Sequence, residues 1–177
     1  MMTSFLNNIP VIVQAAVSIK PKKILDIGAG FGKFGLLIRE ALLSLQAEAG
    51  SMYPVAEFQI DACESSPYFN QQKAFGSIYD IAYPQDVREI ATPLSLAGYD
   101  LYLLIDVIEH WPKEDFFTFL KNKNPNTKIL VSTPKEVVFY DPNYYGIDKH
   151  MTQFTYEDFL MPGVIDYSTE DSFIFLI

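Results

Sequence analysis

The chain has 177 residues, close to the usual size of one domain, and we expect a single domain over residues 1–177 with one hydrophobic core. Apolar residues make up 49% of the chain and charged residues 20%, a globular composition that argues against disorder. With 13 basic and 22 acidic residues the formal charge is −9, which argues against a nucleic-acid partner bound through its phosphates.

The cysteine content and the N-terminal segment bear on the cellular compartment. Cys63 is the only cysteine, so the chain cannot form an internal disulfide. The first residues lack the basic start of a secretory signal and have only a short apolar run. No stretch approaches the roughly 18–20 apolar residues that span a bilayer. We therefore expect a soluble, cytoplasmic protein with no membrane partner.

The first part of the chain alternates helical and strand patterns. Residues 10–19 predict a short helix that begins at a proline. Residues 24–27 form an apolar run that ends at glycine, which is typical of a buried parallel strand. Apolar side chains recur every three or four residues over 31–49, which predicts an amphipathic helix. Residues 58–64 predict a second strand, and a helix is predicted over 67–75.

The alternation continues through the middle of the chain. Residues 78–83 predict a weak third strand, which we place mainly because the pattern requires one there. Asp86 is suited to cap a helix over 87–96. Residues 100–107 form the strongest strand pattern of the chain, and a helix that begins near Pro112 follows it.

The last part of the chain predicts a strand at 128–132 and then a long aromatic loop over 135–153. Residues 155–159 predict a short capped helix. Residues 164–168 and 173–177 predict an antiparallel hairpin. Strands that alternate with helices predict a parallel α/β sheet with right-handed crossovers. In such sheets a ligand binds beyond the carboxyl ends of the strands.

Four glycines within eight residues, from Gly28 to Gly35, follow the first predicted strand. Glycines there allow a tight turn and a close approach of backbone to a ligand at the start of a helix. Gly30-x-Gly32-x-x-Gly35 satisfies a dinucleotide fingerprint, but that fingerprint should begin directly after the strand. The pattern in register with the strand instead begins at Asp26, whose carboxylate suits a cationic ligand better than a pyrophosphate.

The run ILDIGAGFGKFG at 24–35 resembles motif I of the class I S-adenosylmethionine-dependent methyltransferases. The segments DLYLLIDVIEHW at 100–111, KILVSTP at 128–134 and NYYGIDKHMTQFTYEDF at 143–159 are similar to later elements of small-molecule members of that family. The resemblance implies a Rossmann-like, seven-stranded, mostly parallel sheet in the order 3-2-1-4-5-7-6. It also implies helices on both faces, a C-terminal antiparallel hairpin and S-adenosylmethionine as the cofactor.

The resemblance also assigns roles to acidic residues. Glu64 would hold the ribose hydroxyls, Asp86 would contact the adenine, and Asp106 would face the methionine part of the cofactor. Each has a structural alternative: Glu64 as a solvated or capping acid, Asp86 as a helix cap, and Asp106 as the acceptor of a nearby N–H group. The predicted cofactor contacts are Asp26, Gly28, Ala29, Gly30, Gly32, Glu64, Ser65, Asp86, Val87, Asp106 and Val107.

The only two histidines, His110 and His150, are the candidates for a general base, and each could instead have a structural role. Tyr144 or Tyr145 is expected to face the acceptor, and Tyr145 completes the predicted catalytic set. Phe154 and Phe159 are expected in the core. We predict no metal ion in the site.

The predicted function is methyl transfer to a small-molecule acceptor. Residues after 135 hold 8 acidic and 1 basic side chains, which favours a neutral or cationic acceptor. One alternative is an NAD(P)-dependent oxidoreductase that uses Gly30, Gly32 and Gly35. The other is a cofactor-binding partner protein without activity.

Overall fold

The structure, a computed structural model, describes residues 5–48, 58–66, 75–90, 98–136 and 149–177. The strands are β1 (Lys23–Ile27), β2 (Gln59–Cys63), β3 (Ala82–Tyr83), β4 (Leu101–Ile105), β5 (Lys128–Pro134), β6 (Ile165–Asp166) and β7 (Ser172–Leu176). The helices are α1 (Asn8–Ser18), α2 (Lys33–Glu48), α3 (Phe75–Ile78), α4 (Val87–Ile90) and α5 (Lys113–Asn122), with 3-10 turns at Ile108–His110 and Tyr156–Phe159. Within these ranges no helix combines the length and the apolar character needed to cross a membrane.

The strands of the described ranges form one seven-stranded sheet in the order β3-β2-β1-β4-β5-β7-β6. Neighbouring strands from β1 to β5 pair in parallel, whereas β7 pairs antiparallel with β5 and with β6. The predicted sheet, its strand order and its antiparallel C-terminal hairpin are therefore confirmed. The antiparallel β7, which lies between β5 and β6, distinguishes this sheet from the 3-2-1-4-5-6 order of the dinucleotide-binding fold.

Side chains of the central strands alternate between two hydrophobic clusters, as the period-two geometry of a strand requires. Leu101 and Leu103 of β4 belong to the cluster that also contains buried residues of α1 and α2. Tyr102 and Leu104 belong to the cluster that contains α5. Helices therefore cover both faces, as predicted. The second cluster also buries Phe154 and Phe159, which confirms their predicted place in the core.

The predicted elements differ from the observed ones mainly at their ends. α2 begins at Lys33, two residues later than predicted, because the glycine turn extends through Gly32. The third strand is only Ala82–Tyr83 and not 78–83 as predicted. Ile78, the first residue of the predicted strand, is instead the last residue of α3. Most of the predicted helix over 67–75, and residues 91–96 of the helix after Asp86, lie outside the described residues.

The capped turn before the hairpin is confirmed. Thr155 precedes the 3-10 turn Tyr156–Phe159, and its backbone N–H donates to the carboxylate of Asp158 at 2.8 Å. This reciprocal capping box satisfies donors that the start of a helix leaves without partners. The 3-10 turn Ile108–His110 after β4 was not predicted, and it places two side chains of the candidate site.

Candidate functional site

The candidate site lies at the carboxyl ends of three neighbouring strands. The glycine turn follows β1, Glu64 follows β2, and Asp106 follows β4. Because these strands are parallel and adjacent in the sheet, the segments that follow them meet at one edge. The structure thus brings the glycine turn, Glu64 and Asp106 to the same edge of the sheet.

The glycine turn is held by backbone hydrogen bonds and leaves one face open. The N–H of Gly28 donates to the carbonyl of Cys63 at 2.7 Å, and the N–H of Gly32 donates to the carbonyl of Ala29 at 2.8 Å. Gly30 has a φ of 55°, in the left-handed region that favours glycine. Among the described residues, a Cβ built on Gly30 would meet only the carbonyl of Gly28, at 4.0 Å. A ligand can therefore approach the backbone closely at this position.

Glu64 connects the end of β2 to the glycine turn. One carboxylate oxygen accepts the N–H of Gly30 at 2.8 Å, and the other accepts the N–H of Ser66 at 2.7 Å. The side chain is buried, whereas Ser65 beside it is exposed. A carboxylate has about four lone-pair positions, so two remain for ligand hydroxyls.

Asp26 places a buried carboxylate directly beneath the turn. The hydroxyl of Tyr79 donates to Asp26 Oδ2 at 2.6 Å. Burial raises the pKa of Asp26 to about 7; the Tyr79 hydrogen bond lowers it, and the charge of Glu64 raises it further. A cationic ligand at this place would stabilise the charged form of Asp26.

Tyr79 belongs to the candidate site but was not predicted from the sequence. Its ring lies against Gly35, where any Cβ would overlap the ring atoms. The third glycine of the Gly30-x-Gly32-x-x-Gly35 pattern is therefore explained by packing against Tyr79. The weak sequence pattern around the third strand gave no signal that this tyrosine reaches a carboxylate 53 residues earlier.

Asp86 has the geometry of a helix cap. Its Oδ1 accepts the backbone N–H of Arg88 at 2.8 Å, and its Oδ2 accepts the guanidinium of the same residue at 2.6 Å. The hydrogen bonds from Arg88 lower the pKa of Asp86 against the opposing effect of burial. Val87 is buried in the core, so the adenine contact at Asp86 and Val87 stays a prediction.

Asp106 follows β4 in an unusual backbone conformation. Its φ is 54°, which is uncommon for a residue other than glycine and is found at functional sites. The Ser132 hydroxyl donates to Asp106 Oδ1 at 2.7 Å, so the partner that this acid required is a side chain of β5. Val107 packs on the backbone of Gly28.

The two histidines meet although 39 residues separate them. The His110 and His150 ring centroids are 4.9 Å apart. Nδ1 of His110 lies 3.1 Å from the carbonyl of Lys149. Glu109, which the sequence analysis did not single out, is buried beside them. Tyr144 and Tyr145 lie outside the described residues.

Comparison with known proteins supports the fold. No protein-family model matches the chain, and no curated protein sequence matches it. A Pyrococcus horikoshii OT3 protein superposes with a TM-score of 0.62 at 13% identity, over 96% of this chain and 88% of that one. Magnesium protoporphyrin IX methyltransferase from Synechocystis PCC 6803, solved with bound S-adenosylmethionine, gives 0.56 at 17% identity, over 96% and 77%. The methyltransferase domain of bacterial CtHen1 gives 0.52 at 20% identity, over 72% and 65%.

These superpositions extend over nearly the whole chain for two of the three structures, at identities that reveal the fold alone. The matched part amounts to about two thirds of the CtHen1 domain. Together with the strand order, the superpositions show that this chain has the fold of the class I methyltransferases.

Proposed function

We propose that the protein is a methyltransferase that uses S-adenosylmethionine to methylate a small molecule. The observation that carries the proposal is the open backbone at Gly30 between two buried carboxylates, Asp26 and Glu64. A sulfonium and an ammonium group are cations, and a ribose offers two hydroxyl donors. Carboxylates at these two positions suit all three groups.

The proposed binding mode distributes the cofactor along the strand ends. The ribose lies at Glu64, beside Ser65, and the methionine part crosses the glycine turn toward Asp106. The adenine lies toward Asp86 and Val87. In this mode the ribose hydroxyls use the acceptor positions of Glu64 that the N–H groups of Gly30 and Ser66 leave available.

Methyl transfer is an in-line displacement that depends mainly on positioning the acceptor, a contribution of roughly 7–11 kcal/mol in favourable cases. A base is required only where the acceptor atom still carries a proton. The adjacent imidazoles of His110 and His150 are the proposed candidates, with Tyr145 as the third member of the catalytic set.

The main alternative is a nucleotide-cofactor oxidoreductase. The position of β7 between β5 and β6 and the buried carboxylate at Asp26 both disfavour it. A pyrophosphate on the glycine turn would lie near the carboxyl groups of Asp26 and Glu64, and like charges repel. The remaining alternative, a binding protein without turnover, shares the cofactor site and differs only in activity.

The proposal predicts that S-adenosylhomocysteine, but not NAD, protects the protein against heat. At a hundredfold excess over its dissociation constant the ligand should add about 2.7 kcal/mol of unfolding free energy. For a chain of this size that corresponds to a rise in Tm of about 5–10 °C. Differential scanning fluorimetry with each ligand measures it. Protection by NAD alone would contradict the proposal.

A further inference from the structure

Glu109, His110 and His150 form a cluster whose chemistry the proposed cofactor site does not use. One ligand atom from each residue can be chosen such that all three lie within 4.8 Å of one another. Glu109 is 1% exposed and His150 is 8% exposed. The cluster combines a carboxylate with two imidazoles at the carboxyl end of β4, the edge of the sheet where Asp106 also lies.

The backbone holds the cluster in place. The N–H groups of Met151 and Thr152 both donate to the carbonyl of Glu109, at 2.7 and 3.0 Å, so the segment after His150 is fixed to the 3-10 turn. The Thr152 hydroxyl adds a bond of 2.6 Å to the carbonyl of Trp111. The side chains are thus brought together by main-chain contacts that need no ion.

The orientation of His110 suits a metal ligand. Its Nδ1 faces the carbonyl of Lys149, which can only accept, so Nδ1 carries the proton. Nε2 then carries the lone pair. Metal-binding histidines are commonly oriented in this way, by donating the other ring N–H to a carbonyl or a carboxylate.

The buried carboxylate of Glu109 is the strongest indication that the cluster binds a ligand. Its Oε2 is buried and, among the described residues, has no hydrogen-bond partner. A buried acid with an unused oxygen beside two imidazoles is costly unless a cation or a proton satisfies it.

We propose that Glu109, His110 and His150 bind a divalent transition-metal ion through one carboxylate and two imidazole ligands. Imidazole nitrogens favour Mn²⁺, Fe²⁺, Co²⁺ or Zn²⁺ over Mg²⁺ and Ca²⁺, which prefer oxygen ligands. This differs from the sequence-based expectation of a site without metal, in which Glu109 had no part.

Three protein ligands leave coordination positions for water or a substrate oxygen. The ion would lie at the sheet edge where the acceptor is expected, and this part of the inference rests on the proposed function. An acceptor hydroxyl bound to the ion would have a lowered pKa. His110 and His150 would then serve as metal ligands in place of the general-base role proposed above. The acceptor would therefore be a molecule with an oxygen atom that can coordinate a metal.

The test is a titration of the metal-free protein with Co²⁺, followed by absorption in the visible range, and with Zn²⁺, followed by calorimetry. Trp111, the only tryptophan, adjoins His110, so Co²⁺ should also quench its fluorescence. The titrations use the Cys63→Ala background, which removes the only thiol. We expect saturable binding of one ion per chain, which Glu109→Gln and His150→Gln each weaken by at least about tenfold.

The matched control is Glu157→Gln, which changes an exposed acid elsewhere and should leave the affinity unchanged. Thermal unfolding of each variant without metal checks that it is folded. If one ligand variant fails to fold, the other still decides the question. Equal affinity in the folded ligand variants and the wild type, or no saturable binding below about 1 mM, overturns the metal site.

Metal binding and cofactor binding are measured separately. The Co²⁺ titration contains no S-adenosylmethionine, and the thermal-shift assay with S-adenosylhomocysteine is run in a chelator. Metal binding without cofactor protection would leave the metal site standing and remove the proposed function. Cofactor protection without metal binding would overturn the metal site and leave the proposed function standing.

Discussion

Replacing Glu64 by alanine should weaken S-adenosylhomocysteine binding by about 10- to 100-fold, because the proposed binding mode gives this carboxylate two hydrogen bonds from the ribose hydroxyls. The N–H of Gly30 also loses its partner at 2.8 Å, so the turn is held less firmly before the ligand arrives. Isothermal titration calorimetry of the variant and the wild type measures the difference.

Two further variants separate recognition from general damage. Glu64→Gln keeps one carbonyl acceptor and should lose less affinity than the alanine variant. Glu40→Ala removes an exposed acid of α2 and should bind as the wild type does. An alanine variant at Glu64 that is folded and binds with unchanged affinity would refute the ribose assignment.

Replacing Asp26 by asparagine should stabilise the protein without ligand at pH 8 and have little effect near pH 4. The pKa of Asp26 rises from 3.8 in the unfolded chain to about 7 in the fold. The folded protein therefore binds this proton more tightly, and the associated stability is complete below about pH 4 and is lost as the pH rises through about 7. The asparagine variant cannot lose this stability, because it has no carboxyl group to ionise. At pH 8 its free energy of unfolding should therefore exceed that of the wild type by about 2–4 kcal/mol.

Urea unfolding at pH 4, 6 and 8 measures this difference in the free energy of unfolding between variant and wild type. Glu89→Gln, at an exposed position, is the control for loss of an acid in general. Two stability curves that run parallel from pH 4 to pH 8 would show that Asp26 does not titrate as described.

The ionisation of Asp26 should also affect how tightly the protein binds the cofactor. A cation beside Asp26 favours the charged carboxylate, so binding should release a proton and the affinity of the wild type should rise from pH 6 to pH 8. Asp26→Asn should bind more weakly and should lack the contribution of this group to the pH dependence. An affinity that rises equally in both proteins would place the responsible group elsewhere.

The sheet could be predicted because each central strand has a recognisable pattern in its own short stretch of sequence. β4 and β5 are short apolar runs bounded by polar residues or proline, and the glycine turn marks the end of β1. β3 could not be placed well, since a strand of two residues carries almost no pattern. Its pairing depends on β2, which lies beside it, and not on its own side chains.

Residues of the candidate site could be predicted from the sequence only where they lie at the end of a predicted strand. Glu64 and Asp106 were found in that way, and Asp26 by its place before the glycines. Tyr79 and Glu109 were missed because their partners are distant in sequence: Tyr79 reaches Asp26 and Glu109 meets His150. Such contacts follow from how helices and loops pack on the sheet, which periodicity and spacing do not encode.

The most direct test of the account follows the methyl group itself. The protein is incubated with S-adenosylmethionine labelled in the methyl group and with fractions of small neutral and cationic metabolites, with Zn²⁺ or Mn²⁺ present in parallel samples. We predict that label enters a small product, that one S-adenosylhomocysteine forms per product, and that Asp26→Asn and Glu64→Ala both slow the transfer. Binding of the cofactor without transfer of label to any fraction would contradict a methyltransferase and leave a cofactor-binding protein.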